Sequence, residues 1–346
     1  MRYLGNKTRL VPFILDALRH FGIEPGVACD PFAGTASVSS ALKEVGWRVH
    51  AGDVMAASYA LQVARVELDA PPPTYASRIA VLGDLPGTVG FLSDHYTLAG
   101  APGRRHGRMY FSEENGRRID AIRARIESWE ASGETDPLEG RLLVATLIEA
   151  ADRVANTTGV YASFVKTLQP NARRDLDLRP IEPTRPANGT TGCTAFEGRA
   201  ADRLGQIGTI DLVYLDPPYN ARQYPGYYHI PELIARGWTP APEIRGKTGL
   251  IPDDEVRSDW CRSGKAGDAL DAVLEAADTT HILFSYNDEG LLSHEEIESR
   301  MRARGVDDSY ELLARPYRRY RSDSDRPGRT YARDRVAEHL HYVRCR

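Results

Sequence analysis

Residues 26–53, "GVACDPFAGTASVSSALKEVGWRVHAGD", decide the fold because they carry the alternation of a β-α-β unit. Residues 26–30 predict a short buried strand, and "WRVHAGD" (47–53) predicts the next strand. Between them, a glycine-containing turn leads into a helix that we expect to stop at Gly46. Strands that alternate with helices in this way are typical of an α/β sheet.

The α/β pattern is interrupted once and then returns. The proline-rich segment "DAPPPTY" (69–75) ends it, and "CTAFEG" (193–198) resumes it. We therefore expect a mixed α/β sheet with a C-terminal antiparallel strand pair. The domain that holds it comprises residues 1–69 and 193–346, and residues 70–192 form a mostly helical insertion.

Hydrophobic periodicity predicts the remaining elements. Residues 76–110 are rich in glycine and only weakly periodic, and residues 169–192 have neither a helical nor a strand period. The predicted helices cover residues 8–20, 55–68, 112–132, 137–156, 199–205, 266–277 and 293–304. The predicted later strands cover residues 209–215, 280–286, 308–314 and 336–344.

Composition excludes several classes of protein. The chain has 346 residues, 42% hydrophobic and 27% charged, as in an ordinary globular protein, and a net charge of −4. Any positive surface for nucleic acid must therefore be local. The four cysteines form no CxxC pair, which disfavours a disulfide framework or a metal site. No stretch is apolar enough for a signal or a membrane span, so we expect a cytoplasmic protein without a membrane partner.

The turn after the first strand, "DPFAGTAS" (30–37), has features of a ligand site. Its glycine lets the backbone approach a ligand, and the helix start offers free N–H groups. Asp53 ends the second strand, where an acidic residue can accept both hydroxyls of a ribose. The pattern D-x-F-x-G-x-A is not G-x-G-x-x-G, which disfavours a nicotinamide or flavin cofactor. A capped helix in a nucleotide-free α/β fold is the alternative.

A second site follows a later strand, in "DLVYLDPPYNARQYPGYYH" (211–229). Ligand sites of open α/β sheets lie beyond the carboxyl ends of the strands, so Asp216 belongs at the same edge as Asp30 and Asp53. The Asp216 carboxylate and the Pro217 carbonyl offer two acceptors, which match the two hydrogens of a planar amino group. Tyr219 adds a ring that can stack on a flat heterocycle. The alternative is a turn with a capping Asp and a core Tyr.

Three motifs in order resemble the D12 class of DNA adenine-N6 methyltransferases. They are "RYLGNK" (2–7), "DPFAGTA" (30–36) and "DPPY" (216–219), and the helical insertion between the last two also matches. Ala36 departs from the many members that have Gly or Ser there.

The resemblance implies a class I methyltransferase-like (Rossmann-like) mixed sheet and a role for each matched residue. Tyr3, Gly5 and Lys7 would hold the methionine end of S-adenosylmethionine. Asp216, Pro217, Pro218 and Tyr219 would form the catalytic turn. The remaining expected cofactor contacts are Asp30, Phe32, Gly34, Thr35, Asp53, Val54 and Asp202.

The implied reaction is site-specific DNA methylation. A methyl group passes from S-adenosylmethionine to the N6 amine of a flipped adenine, leaving S-adenosylhomocysteine, without a metal. An amino-methyltransferase acting on cytosine N4 in DNA or guanine N2 in RNA would also fit the D-P-P-Y turn. A third possibility is a non-catalytic subunit that holds cofactor and binds DNA.

Candidate DNA contacts lie in three places. Residues 315–335 carry eight arginines, among them Arg318, Arg319 and Arg321, interleaved with tyrosines. Arg222 and Tyr224 follow the catalytic turn, and Lys166 borders the long loop. Double-stranded DNA is the expected binding partner. A cognate restriction endonuclease or a protein of a defence system is a further expected partner.

Overall fold

The structure is a computed structural model that describes residues 1–98, 107–318 and 335–346. By packing, the chain forms two compact units, which we describe separately. The helical unit comprises Met1–Gly5, Met55–Pro183 and Pro225–Val256. The sheet unit comprises Asn6–Val54, Thr184–Tyr224 and Arg257–Arg346. These packing units do not test the domain boundaries expected from the sequence, which stay a prediction.

The sheet unit is built on a seven-stranded mixed sheet with the order β3-β2-β1-β4-β5-β7-β6. Strands β1 to β5 pair in parallel, and β7 pairs antiparallel with both β5 and β6. This arrangement confirms the predicted α/β fold with its C-terminal antiparallel pair. The strands are β1 (Val27–Asp30), β2 (Arg48–Asp53), β3 (Thr194–Glu197), β4 (Ile210–Leu215), β5 (Thr279–Asn287), β6 (Glu311–Arg318) and β7 (Arg335–Arg344).

The register of the central strands determines where the site lies. Ala28 of β1 stands opposite Val49 of β2 on one side and Leu212 of β4 on the other. Because all three strands run parallel, their carboxyl ends meet at one edge of the sheet. The residues that end or follow these strands are therefore brought together there.

Helices cover the sheet and bury an apolar core. Leu270 and Met301, from two of these helices, are buried with Val213 and Phe284 of the sheet in one cluster. The capping box of Ser293 and Glu296 starts the last helix, which was predicted over residues 293–304. The helices of the sheet unit are α1 (Val11–His20), α2 (Ser37–Glu44), α8 (Ala200–Ile207), α10 (Ala266–Ala276) and α11 (His294–Arg304), with a 3₁₀ turn at Asp259–Cys261.

The helical unit contains two long helices, each of which begins at an N-cap side chain. Ser112 accepts the Asn115 N–H, and Asp136 accepts the Leu138 and Glu139 N–H groups, so both helices begin at a side-chain cap. The helices of this part are α3 (Ala56–Gln62), α4 (Tyr75–Gly83), α5 (Phe91–Tyr96), α6 (Glu113–Ser132) and α7 (Pro137–Val154), and α9 (Tyr224–Arg236) follows the D-P-P-Y turn in the chain.

Three helices were not predicted. Residues 75–83 and 91–96 lie in a glycine-rich stretch whose periodicity is weak, and α9 contains Pro225 and Pro231. Buried side chains such as Tyr75, Tyr96 and Tyr228 anchor these helices, so tertiary packing outweighs local propensity. The described residues include no helix that is both long and apolar enough to span a bilayer.

Candidate active site

Three carboxylates lie at the ends of three adjacent parallel strands. Asp30 is the last residue of β1, Asp53 is the last residue of β2, and Asp216 directly follows β4. Asp30 is 1% exposed and Asp53 is 9% exposed. Both Asp53 and Asp216 raise the pKa of Asp30 by charge repulsion, so the three groups share one electrostatic environment. The sheet order thus produces the acidic edge that the sequence predicted.

Asp30 is held by the first turn of α2. The Ser39 hydroxyl donates to Asp30 Oδ2 over 2.7 Å, whereas Oδ1 has no hydrogen-bond partner among the described residues. Burial raises the pKa of Asp30 to about 7, against the opposing effect of the Ser39 hydrogen bond. A buried carboxylate oxygen without a donor is the feature expected where a ligand supplies the missing partner.

The turn between β1 and α2 is tied to the end of β2. The Gly34 N–H donates to Asp53 Oδ2 over 3.1 Å. Gly34 has φ of 50° and Ala36 has φ of 65°, so both adopt the left-handed region. That conformation favours glycine, so Ala36 adopts a backbone conformation that L residues rarely take. Thr35 Oγ1 accepts a hydrogen bond of 3.0 Å from the Asn6 amide.

A buried ion cluster joins the first motif to the D-P-P-Y turn. Lys7 Nζ lies 3.1 Å from Asp216 Oδ1 and 2.5 Å from Glu338 Oε1. Lys7 is 6% exposed, Asp216 is 16% exposed and Glu338 is 1% exposed. Although burial acts to lower the pKa of Lys7, the two carboxylates raise it well above its ordinary value, so Lys7 is a cation. Burial raises the pKa of Asp216 to about 7, with Lys7 opposing and Glu338 adding to the rise.

The D-P-P-Y turn is fixed from the side of β5. The Tyr219 carbonyl accepts the Leu291 N–H over 2.9 Å, and the Tyr219 ring lies edge-on to Tyr286 with centroids 6.3 Å apart. Pro217 is buried, whereas Pro218 and Tyr219 are half-buried. Burial raises the pKa of Tyr219, so its ring stays neutral. The turn therefore presents a rigid backbone and a partly accessible aromatic ring next to Asp216.

These residues fit a cofactor with an amine and a ribose. Asp30 and Asp53 provide acidic acceptors, and the left-handed turn through Gly34 brings the backbone close to the strand ends. Phe32 packs edge-on to Trp260 with centroids 5.4 Å apart and forms an apolar wall. The described part of the chain holds no cluster of three or more His, Cys, Asp or Glu side chains suited to a metal ion.

The other expected cofactor contacts lie in different surroundings. In the helical unit, Tyr3 stacks on Tyr228 with centroids 4.6 Å apart, and Gly5 has φ of 78°. In the sheet unit, Val54 is half-buried after β2, and Asp202 is exposed in the first turn of α8. Their role in cofactor binding stays a prediction.

The expected DNA contacts are partly described. Arg222 is exposed, and its N–H donates to the Asn220 side chain over 3.0 Å. Lys166 is exposed in the helical unit, and Tyr224 is the half-buried first residue of α9. Arg319 and Arg321 lie outside the described residues, as does the side chain of Arg318.

Glu338 was missed by the sequence analysis. It lies on β7 two residues before the buried Leu340 and four before the buried Tyr342. Alternate residues of a strand share one face of the sheet, so this spacing places a charged residue on an apolar face. A buried charge in that position needs a partner, and this need is the sequence feature that could have identified it. Its partners Lys7 and Ser285 are distant in sequence.

Comparison with known proteins decides the family. The sequence pattern of the D12 class N6 adenine-specific DNA methyltransferases matches residues 3–299. The chain belongs to this family. It is a DNA methyltransferase, and the predicted family is confirmed together with its cofactor, S-adenosylmethionine.

Two curated relatives have names that agree with this assignment. The type II methyltransferase M.NlaIII of Neisseria lactamica is 34% identical and is covered over 99% of both chains. The type II methyltransferase M.FokI of Planomicrobium okeanokoites is 33% identical over 93% of this chain, which spans only 50% of that protein. Among solved structures, magnesium protoporphyrin IX methyltransferase from Synechocystis PCC 6803 with bound SAM shows 12% identity and a TM-score of 0.32, covering 97% of this chain and 79% of that one.

Proposed function

We propose that this methyltransferase transfers a methyl group to the N6 amine of an adenine in double-stranded DNA. The observation that carries the proposal is the position of Asp216 at the carboxyl end of β4, beside Asp30 and Asp53 in a family described as N6 adenine-specific. A site of this kind needs an acceptor for an amine next to a cofactor pocket, and the strand order supplies both.

The D-P-P-Y turn holds the amine. The Asp216 carboxylate and the Pro217 carbonyl accept its two hydrogens, and Tyr219 stacks on the base. Two fixed acceptors orient the nitrogen lone pair and stabilise the positive charge that develops on the nitrogen. Pro217 and Pro218 restrict the backbone, so the acceptors need little reorganisation during the reaction.

When bound, S-adenosylmethionine would supply its sulfonium methyl group to the amine nitrogen and would leave as neutral S-adenosylhomocysteine. The nitrogen carries the positive charge until it releases one proton. Asp216, whose pKa burial raises to about 7, is suited to receive that proton near neutral pH. Lys7, Asp30, Phe32, Gly34, Thr35 and Asp53 are the sheet-unit residues proposed to hold the cofactor.

DNA binding is assigned to residues around the turn and in the helical unit. The target adenine leaves the duplex, because its N6 amine is out of reach in the base stack. Arg222 and Lys166 are exposed cations, and we assign them phosphate contacts. We also assign target recognition to the helical segment 70–192. We also propose that the protein acts with a cognate restriction endonuclease, because relatives are named type II methyltransferases. Its proposed location is the cytoplasm.

The test is methylation of unmethylated plasmid DNA by purified protein with labelled S-adenosylmethionine, followed by nucleoside mass analysis. We expect N6-methyladenine with the wild type and about 10²–10³-fold less with Asp216→Asn, which removes the charge but keeps the shape. Asp268→Asn, at an exposed position in the first turn of α10, is the matched control and should retain activity.

Other products would redirect the proposal. N4-methylcytosine would keep the mechanism but change the base, and methylation of RNA alone would exclude DNA as substrate. Equal, zero transfer by the wild type and Asp216→Asn, with both still binding DNA, would support a non-catalytic DNA-binding subunit.

A further inference from the structure

Glu338 is a buried acid at the edge of the site that the D-P-P-Y motif does not include. It lies on β7 opposite Asn287 of β5 and is 1% exposed. Burying a carboxylate strongly destabilises a fold unless charges and hydrogen bonds compensate it. Such a residue therefore needs a partner that offsets this cost.

The compensation is concentrated on one oxygen. Glu338 Oε1 accepts from Lys7 Nζ over 2.5 Å and from Ser285 Oγ over 2.5 Å. Oε2 is buried and has no hydrogen-bond partner among the described residues. Glu338 is thus held firmly by one oxygen and keeps an unused acceptor in a site of low dielectric.

Lys7 connects Glu338 to the catalytic turn. Its Nζ is shared between Glu338 Oε1 at 2.5 Å and Asp216 Oδ1 at 3.1 Å. The shorter contact goes to Glu338, so Glu338 determines where the ammonium group lies relative to Asp216. Glu338 therefore reaches the reacting amine only through another residue.

The charges of this cluster do not cancel. One ammonium and two carboxylates leave a net charge of −1 when all three are ionised. Without Glu338, Lys7 and Asp216 would form a neutral pair, and this cluster would add no net negative charge beside the positive charge that develops on the amine. Because the cluster is buried, this difference is weakly screened by solvent and salt.

We propose that Glu338 is a positioning residue for methyl transfer, which holds Lys7 beside Asp216 and keeps the buried cluster anionic. The inference rests on the proposed function, since it assigns Glu338 a part in the same reaction.

The pH profile distinguishes this role from a merely structural one. Glu338 raises the pKa of Asp216 by charge repulsion, so neutralising Glu338 lowers it. The reaction needs ionised Asp216, hence the acid limb of kcat/KM should move to lower pH. The titratable and charged groups that face Asp216 are Lys7 from the N-terminal segment, Asp30 from β1, Tyr214 from β4, Tyr219 from the turn and Glu338 from β7.

The experiment compares the full-length wild type with Glu338→Gln in single-turnover methylation of plasmid DNA across pH 5.5 to 9. We expect about 10- to 100-fold slower transfer at the plateau, a KM for DNA within about threefold, and an acid limb at lower pH. Glu311→Gln on β6, whose side chain is 49% exposed and pairs with His20, is the matched control and should behave as wild type.

Two further variants keep the inference testable if Glu338→Gln folds poorly, as judged by thermal melting. Glu338→Asp keeps the charge, so its acid limb should stay at the wild-type pH while transfer slows. Ser285→Ala removes one donor to Oε1 and should slow transfer less than Glu338→Gln.

The outcomes separate the inference from the proposed function. A wild type that forms no N6-methyladenine overturns both. An active wild type with unchanged transfer in Glu338→Gln, or with slower transfer and an acid limb that stays in place, overturns the inference alone. If Glu338→Gln folds poorly, Glu338→Asp decides instead. An acid limb of kcat/KM that moves away from the wild-type pH in Glu338→Asp would then overturn the inference.

Discussion

Lys7 Nζ lies 3.1 Å from Asp216 Oδ1, so the N-terminal motif and the D-P-P-Y turn meet in one buried ion pair. The two residues are far apart in the chain, and the sequence analysis assigned Lys7 to the cofactor instead. The pair makes the protonation state of Asp216 depend on Lys7. The two roles are compatible, because an ammonium group has three hydrogens to donate.

Replacing Lys7 by Met should move the acid limb of activity to higher pH. Lys7 lowers the pKa of Asp216 by attraction, so its loss lets burial and Glu338 raise that pKa further above about 7. We expect about 10- to 100-fold less methyl transfer at pH 7.5, with partial recovery at pH 9. Lys265→Met, at a position that is 55% exposed, is the control. An unmoved limb in Lys7→Met would contradict the coupling.

Asp30→Asn should stabilise the protein at neutral pH while it weakens cofactor binding. The pKa of Asp30 in the folded state is about 7, above its ordinary value of 3.8. The folded state therefore binds the proton more tightly, and the wild type loses stability as pH rises from about 4 to about 7, by up to about 1.4 kcal/mol per pH unit.

The measurement is the difference in melting temperature between Asp30→Asn and wild type at pH 5 and pH 8. The gain from Asp30→Asn should be larger at pH 8, where the wild-type carboxylate is ionised. A variant less stable than wild type at pH 8 would show that Asp30 is not an electrostatic cost to the fold. Calorimetric titration with S-adenosylmethionine measures the accompanying loss of affinity.

Asp53→Asn should weaken S-adenosylmethionine binding by about 10- to 100-fold, about 1.4–2.7 kcal/mol. The change replaces one carboxylate oxygen by an amide and disturbs the acceptor that holds the Gly34 N–H. Calorimetric titration measures the affinity, and Asp16→Asn, whose side chain is 64% exposed, is the control. Unchanged affinity in Asp53→Asn would remove Asp53 from the cofactor site.

His341→Phe should make the protein less sensitive to acid. Burial, with the nearby His294 and His339, lowers the pKa of His341 from 6.5 to about 3 in the folded state. The unfolded chain therefore binds more protons below pH 6.5, and the wild type loses stability as pH falls towards about 3.

Denaturant unfolding of His341→Phe and wild type at pH 7 and pH 4.5 tests this sign. The loss of unfolding free energy between the two pH values should be smaller in the variant. His20→Phe serves as the control, because His20 is 54% exposed. An equal loss in His341→Phe and wild type would mean that His341 does not contribute to acid sensitivity.

We expect Arg222→Ala to weaken DNA binding by the same factor on every DNA sequence and to reduce the salt dependence of the binding constant. We expect the same of Lys166→Ala. The loss of one phosphate contact lowers the slope of log K against log salt by about 1. Fluorescence anisotropy at several salt concentrations measures it, with Arg19→Ala on the exposed face of α1 as control. An unchanged slope would exclude a phosphate contact for that residue.

The acidic edge of the sheet could be predicted from sequence because its determinants are local. Each of Asp30, Asp53 and Asp216 directly ends or follows an apolar strand, and strand periodicity is visible over a few residues. Parallel strands with intervening helices then require these carboxyl ends to meet at one edge. Local patterns along the chain were therefore enough to predict the fold class, the family and the positions of the three carboxylates.

Which charges share the site depends on how distant segments pack together. Glu338 meets Lys7 because β7 inserts antiparallel beside β5, an order of pairing that no local pattern contains. The same holds for α9, which tertiary burial stabilises despite its prolines. The physical reason is that periodicity reports the environment of one segment, whereas an ion pair depends on the distance between segments. The sequence thus placed Asp216 at the end of its strand, and the folded structure determined its partners.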